Sequence, residues 1–131
     1  MKLLEHIILI PVYNDWKSLN LLLSEINKEL DNKNNVKILI VNDYSTQKVD
    51  IKKNNFSKIK EIKILTLNQN LGSQKAIAIG LDYIKNLKKD FYITIMDGDG
   101  EDSPNEIKRM LKEAENFEDH AIQTLENIKG I

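Results

Sequence analysis

Four short apolar runs, each followed by a polar loop and then a stretch with helical periodicity, constrain this chain more than any other feature. They are His6 to Val12 (HIILIPV), Val36 to Val41 (VKILIV), Glu61 to Leu67 (EIKILTL) and Phe91 to Met96 (FYITIM). The first two are nearly unbroken in Ile, Leu and Val, as strands covered on both faces must be, while the third alternates. Behind the first run, Asp15 stands where a helix needs an N-cap. Trp16, Leu19, Leu22, Leu23, Ile26 and Leu30 then recur at helical spacing, which predicts a helix over 16–30.

A second apolar stripe follows Gly72, through Ala76, Ile77, Ile79, Leu81, Ile84 and Leu87. A third follows Pro104, which suits a first helical turn, and carries Ile107, Met110, Leu111 and Ala114. Ser45 and Thr46 are placed to cap a short, weakly patterned helix reaching about Asn54. The alternation predicts an α/β fold: a three-layer sandwich with a mostly parallel sheet flanked by helices. Residues 1–117 read as one unit. His120 to Thr124 offers a fifth strand, but 118–131 otherwise reads as a short irregular tail, cut off where such a sheet would continue.

The chain has 131 residues, enough for one core, with 41% apolar and 30% charged side chains. Its 19 basic and 20 acidic residues leave a net charge of −1, which argues against a nucleic-acid partner. With no cysteine, disulfides and thiolate metal sites are excluded. No apolar run has the length of a signal peptide or a membrane span, so the expected location is cytoplasmic, or peripheral at the inner face of a membrane.

In open parallel sheets, ligands gather beyond the carboxyl ends of the strands. The four loops there are Pro11 to Asp15, Asn42 to Ser45, Asn68 to Lys75 and Asp97 to Asp102, all polar and three of them acidic. Asp97 and Asp99, one glycine apart after a strand expected to be buried, can present hard oxygen ligands to Mg2+ or Mn2+. Gly98 between them allows close backbone approach to a bound group. As a calcium loop the segment fails, because Asp102 and Lys108 stand where glycine and glutamate are needed. Asp43 follows the second strand and can accept from a base or ribose, or serve as a turn residue. Asp15 carries the same ambiguity with its capping role. Lys75, in the run that opens the helix after Gly72, can add charge to a phosphate site at free backbone N–H groups.

No G-x-G-x-x-G follows the first strand and no P-loop occurs anywhere, so nicotinamide and P-loop nucleotides fit poorly. No serine lies in a nucleophile elbow. His6 and His120 have no partner at ligand spacing and read as structural.

In order, Ile10-Pro11-Val12-Tyr13-Asn14-Asp15, Val41-Asn42-Asp43-Tyr44-Ser45-Thr46, Asn70-Leu71-Gly72 with Ala76 and Gly80, and Met96-Asp97-Gly98-Asp99-Gly100-Glu101-Asp102-Ser103-Pro104 resemble the motifs of family 2 glycosyltransferases of the GT-A fold. The likeness is strongest to the branch of dolichyl-phosphate mannose synthase and covers residues 6 to about 117. It implies a Rossmann-like nucleotide-binding half in which Pro11, Tyr13 and Asp15 line the nucleotide pocket and Asp43 contacts the base. Asp97 and Asp99 would hold the divalent ion that bridges the donor diphosphate, and Glu101 would touch the metal or the acceptor.

The implied partners are a nucleotide-diphosphate sugar and a polyprenyl-phosphate or saccharide acceptor, as in cell-surface polysaccharide assembly. The chain departs from the family pattern in two ways. Asn42 stands where an acid is usual, and members continue well beyond this length to supply acceptor contacts and, in inverting members, a general base. Three readings therefore stand side by side. One is a transferase completed by a second chain or a membrane-associated partner. Another is a truncated or non-catalytic nucleotide-sugar-binding domain, and the last a partner-binding α/β domain.

Overall fold

The computed structural model describes residues 5–31, 34–98 and 103–129, with side-chain surroundings described as far as residue 117. The elements run β1 (Glu5–Val12), α1 (Trp16–Glu29), β2 (Val36–Asn42), β3 (Glu61–Thr66), α2 (Ser73–Lys85), β4 (Phe91–Ile95) and α3 (Pro104–Lys129). The four strands form one parallel sheet in the order β3-β2-β1-β4.

Alternate residues of the central strands feed two cores, because successive side chains point to opposite faces. On one face Ile8, Ile10, Ile38 and Ile40 pack with Leu19, Leu23 and Ile26 of α1 and with Ile107 and Leu111 of α3. On the other, Ile7, Leu9, Leu39 and Val41 pack with Ala76 and Ile84 of α2. Each fully buried Leu or Ile contributes roughly 1.5–3 kcal/mol of transfer free energy. The near-continuous apolar runs of β1 and β2 are thus the signature of double coverage. Helix α2 lies close to the sheet because of Gly80, where a Cβ would come within 2.6 Å of a Leu9 methyl.

Three expectations are corrected. Strand β4 stands at the end of the sheet, and its Ile93 and Ile95 are exposed, since α2 crosses β1 and β2 instead. The segment from Thr46 to Asn54 is not a helix; only Lys53–Asn55 forms a 3-10 turn. Asn20 of α1 explains this, for its side chain accepts from Lys52 N at 3.0 Å and donates to Asp50 O at 2.7 Å. Those bonds hold the segment out along the helix. Residues 118–129 continue α3 and are neither a fifth strand nor an irregular tail.

Candidate nucleotide-sugar site

From β1 the chain crosses to β2 and then β3 on one side, and β4 is laid down on the other side of β1. The order reverses between β1 and β4, the place where open α/β sheets bind ligands. The ladder between them ends at Leu9 and Ile95, closed by Met96 N–H donating to Leu9 O at 3.0 Å. Pro11 stands just beyond that point. It has no N–H to offer a neighbouring strand, and here no paired β4 residue lies opposite it.

A cleft of about 250 Å³ opens at this position, lined by Pro11, Val12, Tyr13, Asp15, Ser73, Asp97 and Gly98. Five residues singled out from the sequence, Pro11, Tyr13, Asp15, Asp97 and Gly98, therefore share one wall system. Asp15 has two places in the structure: its Oδ1 accepts from Ser18 N at 3.2 Å, capping α1, and the residue lines the cleft. Gly98 lies tight on β1, where a Cβ would meet Ile10 Cγ2 at 3.2 Å and Val12 Cγ2 at 3.3 Å. Its close approach is to the protein's own strand.

Asp43 is turned onto the loop that precedes α2. It is only 4% exposed and is absent from the cleft lining. Its carboxylate accepts from Leu71 N at 2.8 Å, Gly72 N at 2.9 Å and Asn70 Nδ2 at 3.2 Å. Its own N–H donates to Val12 O at 2.9 Å. Asp43 thus ties the loop before α2 to β1 and β2, and sets where α2 begins. Gly72 N-caps that helix at φ 92°, a conformation open to glycine, and no side chain caps it.

Lys75 is exposed on the first turn of α2 and does not line the cleft; Ser73 does. Helical residues two positions apart are rotated by about 200°, so a residue at the first position and one at the third cannot face the same way. That phase was the available signal for Ser73. The preceding loops are cross-linked as well. Asn14, at φ 63°, donates its N–H to Ser45 Oγ at 2.9 Å, and its Oδ1 accepts from Gln47 N at 3.0 Å. Asn42 Oδ1 accepts from Ser45 N at 3.0 Å, work for which its amide serves as well as a carboxylate.

The sequence model described as Glycosyl transferase family 2 matches residues 7–130. The chain belongs to glycosyltransferase family 2. Membership makes it a transferase-family protein for nucleotide-sugar donors, and its parallel sheet agrees with the GT-A fold. No curated protein matches the chain.

Asp99 and Glu101 of this family 2 chain lie outside the described residues. Among the described residues no group of three metal-ligating side chains occurs, and no helix is long and apolar enough to cross a membrane. Asp15 and Asp97 nevertheless both line one cleft, with Ser73 and Tyr13 also at its wall. Oxygen donors of this kind suit Mg2+ or Mn2+, which take one or two carboxylates and fill their remaining positions with water and phosphate.

Proposed function

We propose that this cleft binds the diphosphate of a nucleotide sugar with a divalent cation, Mg2+ or Mn2+, and that the chain takes part in sugar transfer to an acceptor. The observation that carries the reading is the meeting of Asp97, Asp15, Tyr13 and Ser73 in one cleft where the strand order reverses. Asp97, with Asp99 beside it in sequence, would hold the cation. The unsatisfied N–H groups that open α2 would meet the phosphates beside Ser73. Tyr13 and Pro11 would border the nucleoside.

In the transfer step an acceptor oxygen bonds to the anomeric carbon while the bond to the nucleoside diphosphate breaks. A cation held by Asp97 and Asp99 would supply positive charge for the departing diphosphate. The acceptor would be a polyprenyl phosphate or a saccharide, on the dolichyl-phosphate mannose synthase-like resemblance.

A second reading, donor binding without turnover by this chain alone, has its own support. Asp15 and Asp97 are the only carboxylates among the described residues lining the cleft, no histidine joins them, and Asp15 is engaged in capping. A free general base for the acceptor is therefore not among them. Both readings are tested by calorimetric titration of UDP- and GDP-sugars with Mn2+. The expected outcome is Mn2+-dependent binding that Asp97→Ala weakens at least about tenfold, since even partners one shell out from a metal cost about that much when lost. Binding unaffected by chelation and by D97A would overturn the metal assignment. Transfer to a polyprenyl-phosphate or saccharide acceptor, followed by mass spectrometry, separates the first reading from the second.

A further inference from the structure

The sheet ends differently at its two edges. Strand β3 carries the exposed Glu61 and Lys63, charges of the kind that keep an edge from pairing with another chain. Strand β4 carries none: Phe91 to Ile95 (FYITI) is aromatic or β-branched throughout, without proline or glycine. Ile93 and Ile95, in register with Ile7 and Leu9 on the α2 face, stand 36% and 46% exposed. On the other face Tyr92 meets the half-exposed Phe117, ring centroids 5.3 Å apart. Uncovered apolar side chains on both faces of an uncharged edge mark a place for strand addition.

The backbone fixes how such a strand would pair. Met96 N–H donates to Leu9 O, so the even-numbered residues of β4 bond to β1. Backbone groups alternate in direction along a strand, and the N–H and C=O of Phe91, Ile93 and Ile95 therefore point away from the sheet. Among the described residues none of these groups has a hydrogen-bond partner. The strand also complements itself. A second copy laid antiparallel, with Ile93 opposite the partner's Ile93, pairs Phe91 with the partner's Ile95 and Tyr92 with the partner's Thr94. Every outward residue then exchanges its bonds, and aromatic meets β-branched at each pair but the central one. The ends agree in charge as well. The chain enters β4 through Lys88-Lys89 and leaves it at Asp97, so antiparallel alignment sets base beside acid, where parallel alignment would set like beside like.

We propose that β4 is a homodimer interface, two copies joining edge to edge about a two-fold axis at Ile93 to make one continuous sheet. The axis stands perpendicular to the sheet, so Phe91, Ile93 and Ile95 of both copies fall on one face as a single apolar strip. The pairing closes on itself, since the strand left at each outer end is the charged β3. Five paired residues per copy make a small interface beside the roughly 1,600 Å² of a standard one. The dimer is therefore reversible, with a dissociation constant on the order of 10 μM. The inference goes beyond the donor-binding reading and does not rest on it.

The test follows the full chain by analytical ultracentrifugation from about 1 to about 200 μM, a range that brackets that constant. The wild type should pass from the mass of one chain toward that of two. Ile93→Lys and Ile93→Glu each set like charges against one another across the axis and should weaken association at least about tenfold. Mixed in equal amounts, I93K and I93E should associate again, because lysine faces glutamate only where residue 93 meets the partner's residue 93. Circular dichroism should show both variants folded, as the exposed position allows. In the wild type, amide hydrogen exchange should slow with rising concentration at Phe91, Ile93 and Ile95 and change little at Tyr92 and Thr94, a readout that stands even if a variant misfolds. A wild type that keeps the mass of one chain would overturn the proposal, as would a mass that climbs past two. So would dimers that survive I93K, a mixture of the two variants that stays monomeric, or exchange at the three outward amides that ignores concentration.

Discussion

At the carboxyl end of the sheet, Asn14, Asn42 and Asp43 turn their side chains onto backbone N–H groups of the loops, and two of those links join segments 29 and 33 residues apart. At the amino end, Glu5 instead meets Lys37 at 2.7 Å and also Lys89, in a partly hydrated cluster. The first arrangement fixes loops in place, since each acceptor satisfies donors that have no strand or helix partner. The second links strand ends through flexible lysine arms that water can replace. The contrast shows where rigidity is concentrated: at the end that carries the cleft.

The largest expected effect breaks the comparison if it fails. Asp43→Ala leaves Leu71 N–H and Gly72 N–H unpaired beneath the loops and removes a charged acceptor. It should cost about 3–4 kcal/mol in urea unfolding. Asp43→Asn, which keeps one carbonyl acceptor, should recover part of that loss. Should D43A unfold with the stability of a surface variant, the working end is no more rigid than the other.

The next effect concerns the amino end and is driven by pH. His6 is buried, bonded through Nε2 to Thr94 Oγ1 at 2.8 Å and packed edge-on against Tyr92. Burial lowers its pKa from 6.5 to about 4. On acidification the unfolded chain therefore takes up a proton before the folded one does. Stability present above pH 6.5 is lost as the pH falls toward 4, by up to about 3 kcal/mol. Unfolding midpoints measured across that range should slope steeply in the wild type and flatten in His6→Gln. A flat wild-type profile would show that the histidine is hydrated and that this end is looser still.

Asn14→Ala returns to the carboxyl end and removes the amide that holds a left-handed residue. A cost of about 2 kcal/mol is expected from the lost bonds and uncompensated strain. Asn14→Gly should lose less, because glycine accepts φ 63° without penalty. Denaturant midpoints of the two variants check the ordering; equal losses would mean that strain has no part in the loop's stability.

The sheet, its helices and the direction of the site were legible because they follow from periodicity and from strand–helix alternation. Ile7 through Ile10 and Ile38 through Val41 could be placed nowhere but in a doubly covered sheet. The joint placement of Asp15, Tyr13 and Asp97 was legible for a similar reason, since carboxyl-end loops converge. What escaped was the direction of single side chains. Asp43 looks in sequence like a ligand-facing acid, yet the N–H groups it satisfies come from residues 71 and 72, a pairing that only the fold brings about. Asn20 likewise suppresses the helix expected over 46–54 by capturing the backbone of Asp50 and Lys52, a long-range competition that local patterning does not register. Tyr44 carries no sequence signal of its left-handed backbone, at φ 59°.

The smallest effect sharpens the contrast from the hydrated side. The Lys37 hydrogen bond, then that of Lys89, holds the Glu5 carboxyl down at about 2 from its usual 4.5. That stabilisation is present above pH 4.5 and fades as the pH falls toward 2, below the window of His6. The lysine partners are 27% and 58% exposed, however, so solvent screens the pair and discounts the shift heavily. Glu5→Gln at neutral pH should therefore cost only about 0.5–1 kcal/mol and should lose most of that difference in about 1 M salt. Asp43→Ala should keep its full cost in the same salt, because unpaired buried N–H groups are not relieved by screening. If E5Q instead matched D43A in size and in salt resistance, the amino end would be as tightly built as the cleft, and rigidity could no longer be read as a mark of the working end.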